Sequence, residues 1–524
     1  MAIDFAEFVR KNQQWFPDRT ALVCEEQRWS YRDLWDSACR LANALSALGM
    51  SPQDRVATLS GNNGELVVQS VALAVGNFVR ATLYTYNAAE LNARLLEVIG
   101  AKALIVEAGH YEAIAPYLSL APSLEHVIVY GADSAPEGTL NYSALLAQAD
   151  AFDPHIRAAG SDVHVIRFSG GTTGFPKAMY HTVDAWLGYC NEHRWIAPPM
   201  TEEDRFLAVT HMAHLSLAYL WPTLATGGTV IVMPQFEPEK VLELIEREKV
   251  SFATMVPTMI QRIVDHPSAA SYDLSTLRCV LYSGAPISET TLGRAINLFG
   301  DVLHQMYGQS EVGPVAMLRP DHHRVTAPDG TPRLRRSAGR ATPSTILRIV
   351  DDNGNDLPIG QVGEVAAWSP GRVSGFWQDD KTFQERLLPD GSILTSDMGF
   401  LDADGFLFLA DRRQDMIVSG GYNIWPAELE NALSAHPAVA EACVVARPST
   451  EWGETPHADV VLRPGHTVEP SELIEWTRDK VGPVKKVASV EFVAALPKSA
   501  AGKLLRREVK ERFWSGHDTR VAGS

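Results

Sequence analysis

Residues 168–177 read Phe-Ser-Gly-Gly-Thr-Thr-Gly-Phe-Pro-Lys. Three glycines, two threonines and a lysine within ten residues suit a loop that holds phosphate. Glycines let backbone N–H groups turn toward an anion without a Cβ in the way. Thr172 and Thr173 add hydroxyl donors, and Lys177 adds a point charge. The common nucleotide loop ends in Gly-Lys-Ser/Thr, whereas here Pro176 precedes Lys177 and Ala178 follows it. Val163-His-Val-Ile-Arg-Phe168 reads as a strand feeding the loop, and Ala178-Met-Tyr-His181 leaves it as apolar chain.

The chain around this loop has 524 residues, room for about three or four domain-sized units. Its 46% hydrophobic and 21% charged residues are those of an ordinary globular protein. A net charge of −17 argues against nonspecific nucleic-acid binding, which needs a basic surface. The amino terminus has no uninterrupted apolar run, so no signal peptide is expected. The most apolar stretch, Leu66 to Val79, contains Gln69 and Asn77 and reads as a buried helix rather than a membrane span. Five cysteines are scattered without metal-ligand spacing, as expected of packed core thiols in a reducing cytoplasm.

Strand and helix signals alternate along the chain. Ala21–Cys24 reads as a strand; Ser30 offers an N-cap, and Leu34, Ala38, Leu41, Leu45 and Leu48 follow at helical spacing until Gly49. Apolar runs recur at Arg55–Leu59, Ala103–Val106 and Val127–Tyr130, and again at Val230–Met233 and Cys279–Tyr282. That rhythm predicts parallel sheets covered by helices. The tail beyond Asp415 differs: Pro426 opens a helix through Ala435, a strand follows at Ala442–Val445, and basic segments lie at Lys485-Lys486 and Lys503–Arg507.

With these residues in view, the chain resembles the acyl-adenylate-forming enzymes: acyl-CoA synthetases, aryl-acid adenylating enzymes, peptide-synthetase adenylation domains and firefly-type luciferases. Ser169–Lys177 matches the family's S/T-S/G-G-T-T/S-G-x-P-K signature. Tyr307-Gly-Gln-Ser-Glu311 resembles YGxTE with Ser310 for threonine, and Thr395-Ser-Asp397 resembles TGD with serine for glycine. Asp411-Arg412 and Ser419-Gly-Gly-Tyr-Asn-Ile-Trp-Pro-Ala-Glu428 resemble the segment entering the small domain, and Leu496–Arg506 the PxxxxGKxxR signature. The resemblance runs along essentially the whole chain. It implies an α/β fold: a large N-terminal AMP-binding domain over 1–412, made of two related α/β subdomains plus a small β-barrel, and a small mobile C-terminal α+β lid over 413–524.

It also implies roles. Ser169, Gly170, Gly171, Thr172, Thr173, Gly174 and Lys177 would grip the phosphates of ATP that leave as pyrophosphate. Glu311 would bind Mg²⁺; Asp397 would accept from the ribose hydroxyls, with Arg412 assisting. Gly284, Ala285, Pro286 and Tyr307, with Gly308 and Ser310 beside it, would flank adenine. Lys503 would reach between the acyl carboxylate and the α-phosphate. The small domain would then rotate about Gln414 to present Ser419, Gly420, Gly421 and Tyr422 for thiol attack.

His211-Met-Ala-His214 lies where the family lines its acyl pocket, with Leu215, Ser216, Tyr219, Ser283 and Gly308 as further candidates. Aryl-acid adenylating enzymes follow this histidine with an asparagine that recognises a hydroxyl. Leu215 cannot hydrogen-bond, so the resemblance implies an apolar aliphatic, alicyclic or plain aromatic acid. The Gly420–Glu428 spelling is nearest to free-standing CoA ligases, implying coenzyme A as acceptor. Val484-Lys-Lys-Val-Ala488 departs from the family's Tyr-Lys-x-Pro-Lys. Two other readings stay open: loading of a separate carrier protein's phosphopantetheine, and a non-catalytic nucleotide-binding relative. A homodimer is left open as the assembly.

Overall fold

Short apolar strands whose side chains alternate between two faces build a stack of two large sheets. The computed structural model describes residues 4–168, 176–213, 215–326, 330, 332–412, 415–419, 422–449, 452–483, 485–498 and 504–514. Among these, the first sheet runs Gly375–Phe376, Ala178–Thr182, Val163–Phe168, Val79–Leu83, Arg55–Leu59, Ala103–Glu107, His126–Tyr130, Leu140–Asn141. The second runs Arg340–Ala341, Gly313–Leu318, Leu303–Gln309, Cys279–Tyr282, Phe252–Met255, Arg205–Ala208, Thr229–Val232, Thr20–Cys24, Gln27–Ser30.

Period two decides what lies between the sheets. Leu22, Phe206, Ala208 and Leu281 from the second sheet join Val56, Ala103 and Ile105 from the first in one central cluster, with the helices Phe5–Trp15, Tyr31–Ala47, Gly64–Val75 and Leu217–Thr226. Their neighbours Val23, Leu207 and Val280 face outward beneath Pro238–Glu248, Pro257–Val264 and Glu289–Phe299. Ala57, Leu104 and Val106 face outward beneath Ala89–Val98. The result is five layers, helix on sheet on helix on sheet on helix.

The local signals explain the elements. Ser30 and Asp33 close a capping box over Tyr31–Ala47. The apolar stretch becomes Gly64–Val75, a helix buried on every side, as a helix hydrophobic all round must be. The strands expected at 55–59, 163–168 and 279–282 form over those same residues. Both sheets are parallel inside but carry antiparallel strands at their edges, where parallel sheets alone were expected. The connection from Phe168 to Ala178 is shorter than the crossover a parallel return needs, so the chain folds back as a hairpin.

A third, antiparallel sheet orders Ile346–Val350, Gly363–Trp368, Ile393–Leu401 and Leu407–Arg412. Beyond it, the strands Ile417–Ser419, Tyr422–Ile424, Val439–Ser449, Gly453–Leu462 and Ser489–Phe492 and the helices Pro426–Ser434 and Pro470–Val481 enclose a core of their own. All five cysteines are free and buried. Among the described residues no helix is long and apolar enough to cross a membrane.

One helix contact fixes a spacing. A Cβ on Gly188, in the helix Val183–Ile196, would lie 2.5 Å from the Pro370 carbonyl oxygen, and one on Gly371 would lie 2.5 Å from Tyr189 Cα. Backbone therefore rests directly on backbone there.

Gln69 is fully buried in the helix Gly64–Val75, and neither atom of its amide has a partner among the described residues. An unpaired buried amide costs about 1–3 kcal/mol. Gln69→Met keeps the volume and removes the amide, so the denaturant midpoint should rise, by about 1 kcal/mol or more of stability. A midpoint at or below the parent's would mean that the amide is solvated or paired inside the core.

Candidate active site

The hairpin that carries the Gly/Thr loop lies next to the edge strand Gly375–Phe376 of the first sheet, with Phe168 facing Ala178 across its last pair. Ser169, Gly170, Gly171, Thr172, Thr173 and Gly174 lie outside the described residues. Lys177 places its Nζ 5.0 Å from the centre of the Phe376 ring, on the neighbouring strand. Asp379 is held below the usual carboxylate range by the Thr382 hydroxyl, with Lys177 adding attraction.

Arg167, one residue before the strand ends, ties this hairpin to the second sheet. Its Nη2 donates to the Ser310 carbonyl at 2.8 Å. The guanidinium lies 5.0 Å from the Trp186 ring centre and 5.4 Å from that of Tyr189. His181, on the returning strand, has its Nε2 3.4 Å from Arg167 Nη2. Burial, followed by the Arg167 charge, pushes that imidazole well below its ordinary range, so it is neutral.

The Tyr307–Glu311 segment turns between the antiparallel strands Leu303–Gln309 and Gly313–Leu318. The turn is tight enough that a Cβ on Gly308 would fall 2.3 Å from the Gly313 carbonyl oxygen. The Tyr307 hydroxyl donates to Asp397 at 2.7 Å, and Gln309 Nε2 donates to the same carboxylate at 2.6 Å and to the Thr395 carbonyl at 2.8 Å. Thr395 in turn donates to the Val365 carbonyl at 2.7 Å and accepts from the Asp397 N–H at 3.2 Å. Asp397 pairs across the third sheet with Arg412, whose side chain lies outside the description.

Glu311 is held at both ends. Its carbonyl accepts from the Val373 N–H at 2.8 Å, and its Oε1 takes a hydrogen bond from Arg386 Nη1 at 2.9 Å. Arg386 Nη2 also reaches Ser396 Oγ at 3.3 Å. Ser396 stands where the family pattern has glycine and adopts φ +63°, with its N–H donating to Glu364 at 2.8 Å. A carboxylate is the kind of hard oxygen ligand a divalent ion takes, and here Arg386 already occupies one of its oxygens.

Ser283, Gly284, Ala285 and Pro286 follow the carboxyl end of the parallel strand Cys279–Tyr282, where open α/β sheets bind ligands. His214 lies outside the described residues. His211 has Nε2 3.1 Å from the Ser60 carbonyl and Nδ1 accepting from the Ala213 N–H at 3.1 Å. Leu215 is half-buried against the central cluster. Ser216 donates to the Thr210 carbonyl at 2.7 Å and lies 3.0 Å from the Thr254 hydroxyl. Tyr219 is buried, its hydroxyl 3.7 Å from Cys279 Sγ.

In the carboxy-terminal unit, Tyr422 pairs with Ser419 and is 59% exposed. Gly420, Gly421, Gln414 and Lys503 lie outside the described residues. Lys485 is bound by Glu428 at 2.9 Å. His457, Asp459 and Glu491 cluster there, but Arg512 forks onto Asp459 at 2.6 Å and supplies the cation.

The structure thus brings Tyr307, Asp397, Glu311 and Ser310 together and adds three residues that motif reading missed. Gln309 stood in the variable position of YGQSE, where only the side chain's length gave a signal. Arg167 was read as part of a strand. Arg386 stands in no motif and had no signal at all.

Comparison with known proteins agrees with this geometry. The family model described as AMP-binding enzyme matches residues 9–377, and that of the AMP-binding enzyme C-terminal domain matches 428–503. A medium/long-chain-fatty-acid–CoA ligase, FadD8 of Mycobacterium tuberculosis, is 30% identical over 520 residues, covering 95% of this chain and 88% of that one. A feruloyl-CoA synthase of an Amycolatopsis species is 33% identical over 501 residues, covering 95% and 96%. The amide bond synthetase McbA from Marinactinospora thermotolerans superposes with a TM-score of 0.87 at 29% identity, covering 97% and 99%.

Ser396 yields a prediction. A left-handed conformation costs a residue with a Cβ about 1–2 kcal/mol, and glycine adopts it without that cost. Ser396→Gly gives up the hydroxyl contact to Arg386 and some unfolded-state entropy, so the net gain should be about 0.5 kcal/mol. Chemical denaturation of the two proteins would check it, and a loss of stability would refute it.

Proposed function

The chain belongs to the AMP-binding enzyme family of acyl-adenylate-forming enzymes and is an acid–thiol ligase; from that premise we propose that it joins a mainly apolar carboxylic acid to coenzyme A through an acyl-AMP. The observation that carries the adenylate half is the Asp397 carboxylate, fixed by Tyr307 and Gln309, with the neighbouring Ser396 linked through Arg386 to Glu311.

A carboxylate is a poor acyl donor because oxide is a poor leaving group. In the first half-reaction a carboxylate oxygen forms a bond to the α-phosphorus of ATP. The bond to the bridging oxygen breaks, and pyrophosphate leaves with the electron pair. In the second, the CoA sulfur bonds to the acyl carbon, and AMP leaves while the thiol gives up its proton. Two anions meet in the first step, so positioning and cationic stabilisation supply the rate.

Each residue then has a task. The 169–177 loop and Lys177 hold the phosphates that depart. Asp397 accepts from the ribose hydroxyls, with Arg412 beside it. Tyr307 and the 284–286 segment flank the base. Glu311 would hold Mg²⁺, which neutralises phosphate oxygens when bound. Lys503 bridges the acyl and phosphoryl oxygens, and residues 413–524 then turn to offer the Ser419–Tyr422 face to the thiol. Leu215 supports an apolar acid, aliphatic, alicyclic or aromatic, since it offers no hydrogen bond to a ring hydroxyl.

Pyrophosphate release across a panel of carboxylic acids tests the reading. Turnover on the best acid should rise sharply with coenzyme A. If turnover is indifferent to coenzyme A and rises instead with a phosphopantetheinylated carrier protein or a free amine, the acceptor is wrong.

Lys503→Ala separates the half-reactions. Acyl-AMP formation should slow by about a hundred- to a thousandfold, the cost of deleting one charge-stabilising donor. Thioester formation from pre-made acyl-adenylate and CoA should run near the parent rate. Equal damage to both steps would disprove the division of labour between the two faces of the small domain.

A further inference from the structure

We propose that Arg386 is a positioning residue for the metal carboxylate: its guanidinium holds Glu311 in place and, by competing for it, sets how much divalent cation the enzyme needs. This rests on the assignment of Glu311 to the metal.

Arg386 is anchored through its backbone. Its N–H donates to the Phe383 carbonyl at 3.0 Å, and its own carbonyl accepts from Leu394 at 2.9 Å, on the strand that also carries Ser396 and Asp397. From that fixed backbone the side chain reaches across, and Nη1 meets Glu311 Oε1 at 2.9 Å. The two side chains are 24% and 17% exposed. Water screens the pair only in part, yet an ion can still enter from solvent. A monovalent cation and a divalent one thus contend for the same carboxylate.

Ser396 offers the guanidinium a second partner. Its hydroxyl lies 3.3 Å from Nη2, so Arg386 keeps a hydrogen bond when Glu311 is drawn away. The left-handed φ of +63° sets the backbone from which that hydroxyl projects, and the N–H bond to Glu364 holds the turn.

Manganese binding tests the proposal without turnover. Mn²⁺ is titrated into the full-length enzyme at saturating α,β-methylene-ATP, and free Mn²⁺ is read by electron paramagnetic resonance. Removing the rival charge should tighten binding, by about two- to fivefold in Arg386→Gln, the worth of a partly exposed pair. Arg386→Lys, which keeps the charge, should stay near the parent. Ser396→Ala, which removes the second partner, should weaken binding by up to about twofold. Melting curves run in parallel, and Arg386→Met replaces Arg386→Gln if the latter does not fold. Unchanged or weaker Mn²⁺ binding in Arg386→Gln, alongside a Glu311→Gln protein that has lost it, would overturn the competition and leave Glu311 as a ligand. A Glu311→Gln protein that binds Mn²⁺ like the parent would instead remove Glu311 from the metal site, and this proposal with it.

Discussion

One guanidinium joins the two large sheets where the chemistry is expected. Arg167 leaves the first sheet just before the Gly/Thr loop and donates to Ser310, in the turn at the edge of the second. Burying that charge is expensive unless its protons are used. Here Nη2 meets a carbonyl and a neutral imidazole, and the cation lies against two aromatic rings, while Nε has no partner among the described residues. Arg80 lies on the adjacent strand and is equally buried; burial lowers its pKa to about 10, and it donates to Thr82 and the Met212 carbonyl. Among the described residues neither guanidinium is salt-bridged to a carboxylate. Their uncancelled charge lies beneath the strand end where an anion would be held.

Burial, with the same charges added, also sets the surrounding imidazoles. His164 is pushed down to about 3 and His193 to about 4, in each case chiefly by burial, with Arg80 or Arg167 adding repulsion. Neutral, aromatic and flat, they pack like rings: His164 stacks on Phe5 at 4.2 Å, and His193 tilts against Tyr189 at 4.7 Å. His164 and His193 thus serve as core aromatics beside fixed cations.

Much of the architecture was legible because the strands are short and apolar and the helices well capped. Ser30 and the leucine spacing marked Tyr31–Ala47, and the strand before the loop was bounded correctly at both ends. Sheet direction at the edges was less legible, since period two looks alike in parallel and antiparallel pairs. Within the site, residues in motifs could be named from their order, and Tyr307 and Asp397 do meet. Arg386 could not be found that way: it approaches Glu311 from 75 positions along the chain, and such pairs leave no local pattern. The left-handed Ser396 was visible only as a serine in place of glycine, with no sign of its backbone.

The backbone contact between the helix Val183–Ile196 and Pro370-Gly371 limits how this molecule can vary. Since a Cβ on Gly188 or Gly371 would come within 2.5 Å of main chain, that helix has no side-chain cushion to thicken or thin there. Its axis is pinned at one distance from the loop at 370–371. Variation along that helix must come from the side chains that project off it. A side chain at either glycine would have to push the helix and the 370–371 loop apart, so these two positions admit less change than their neighbours.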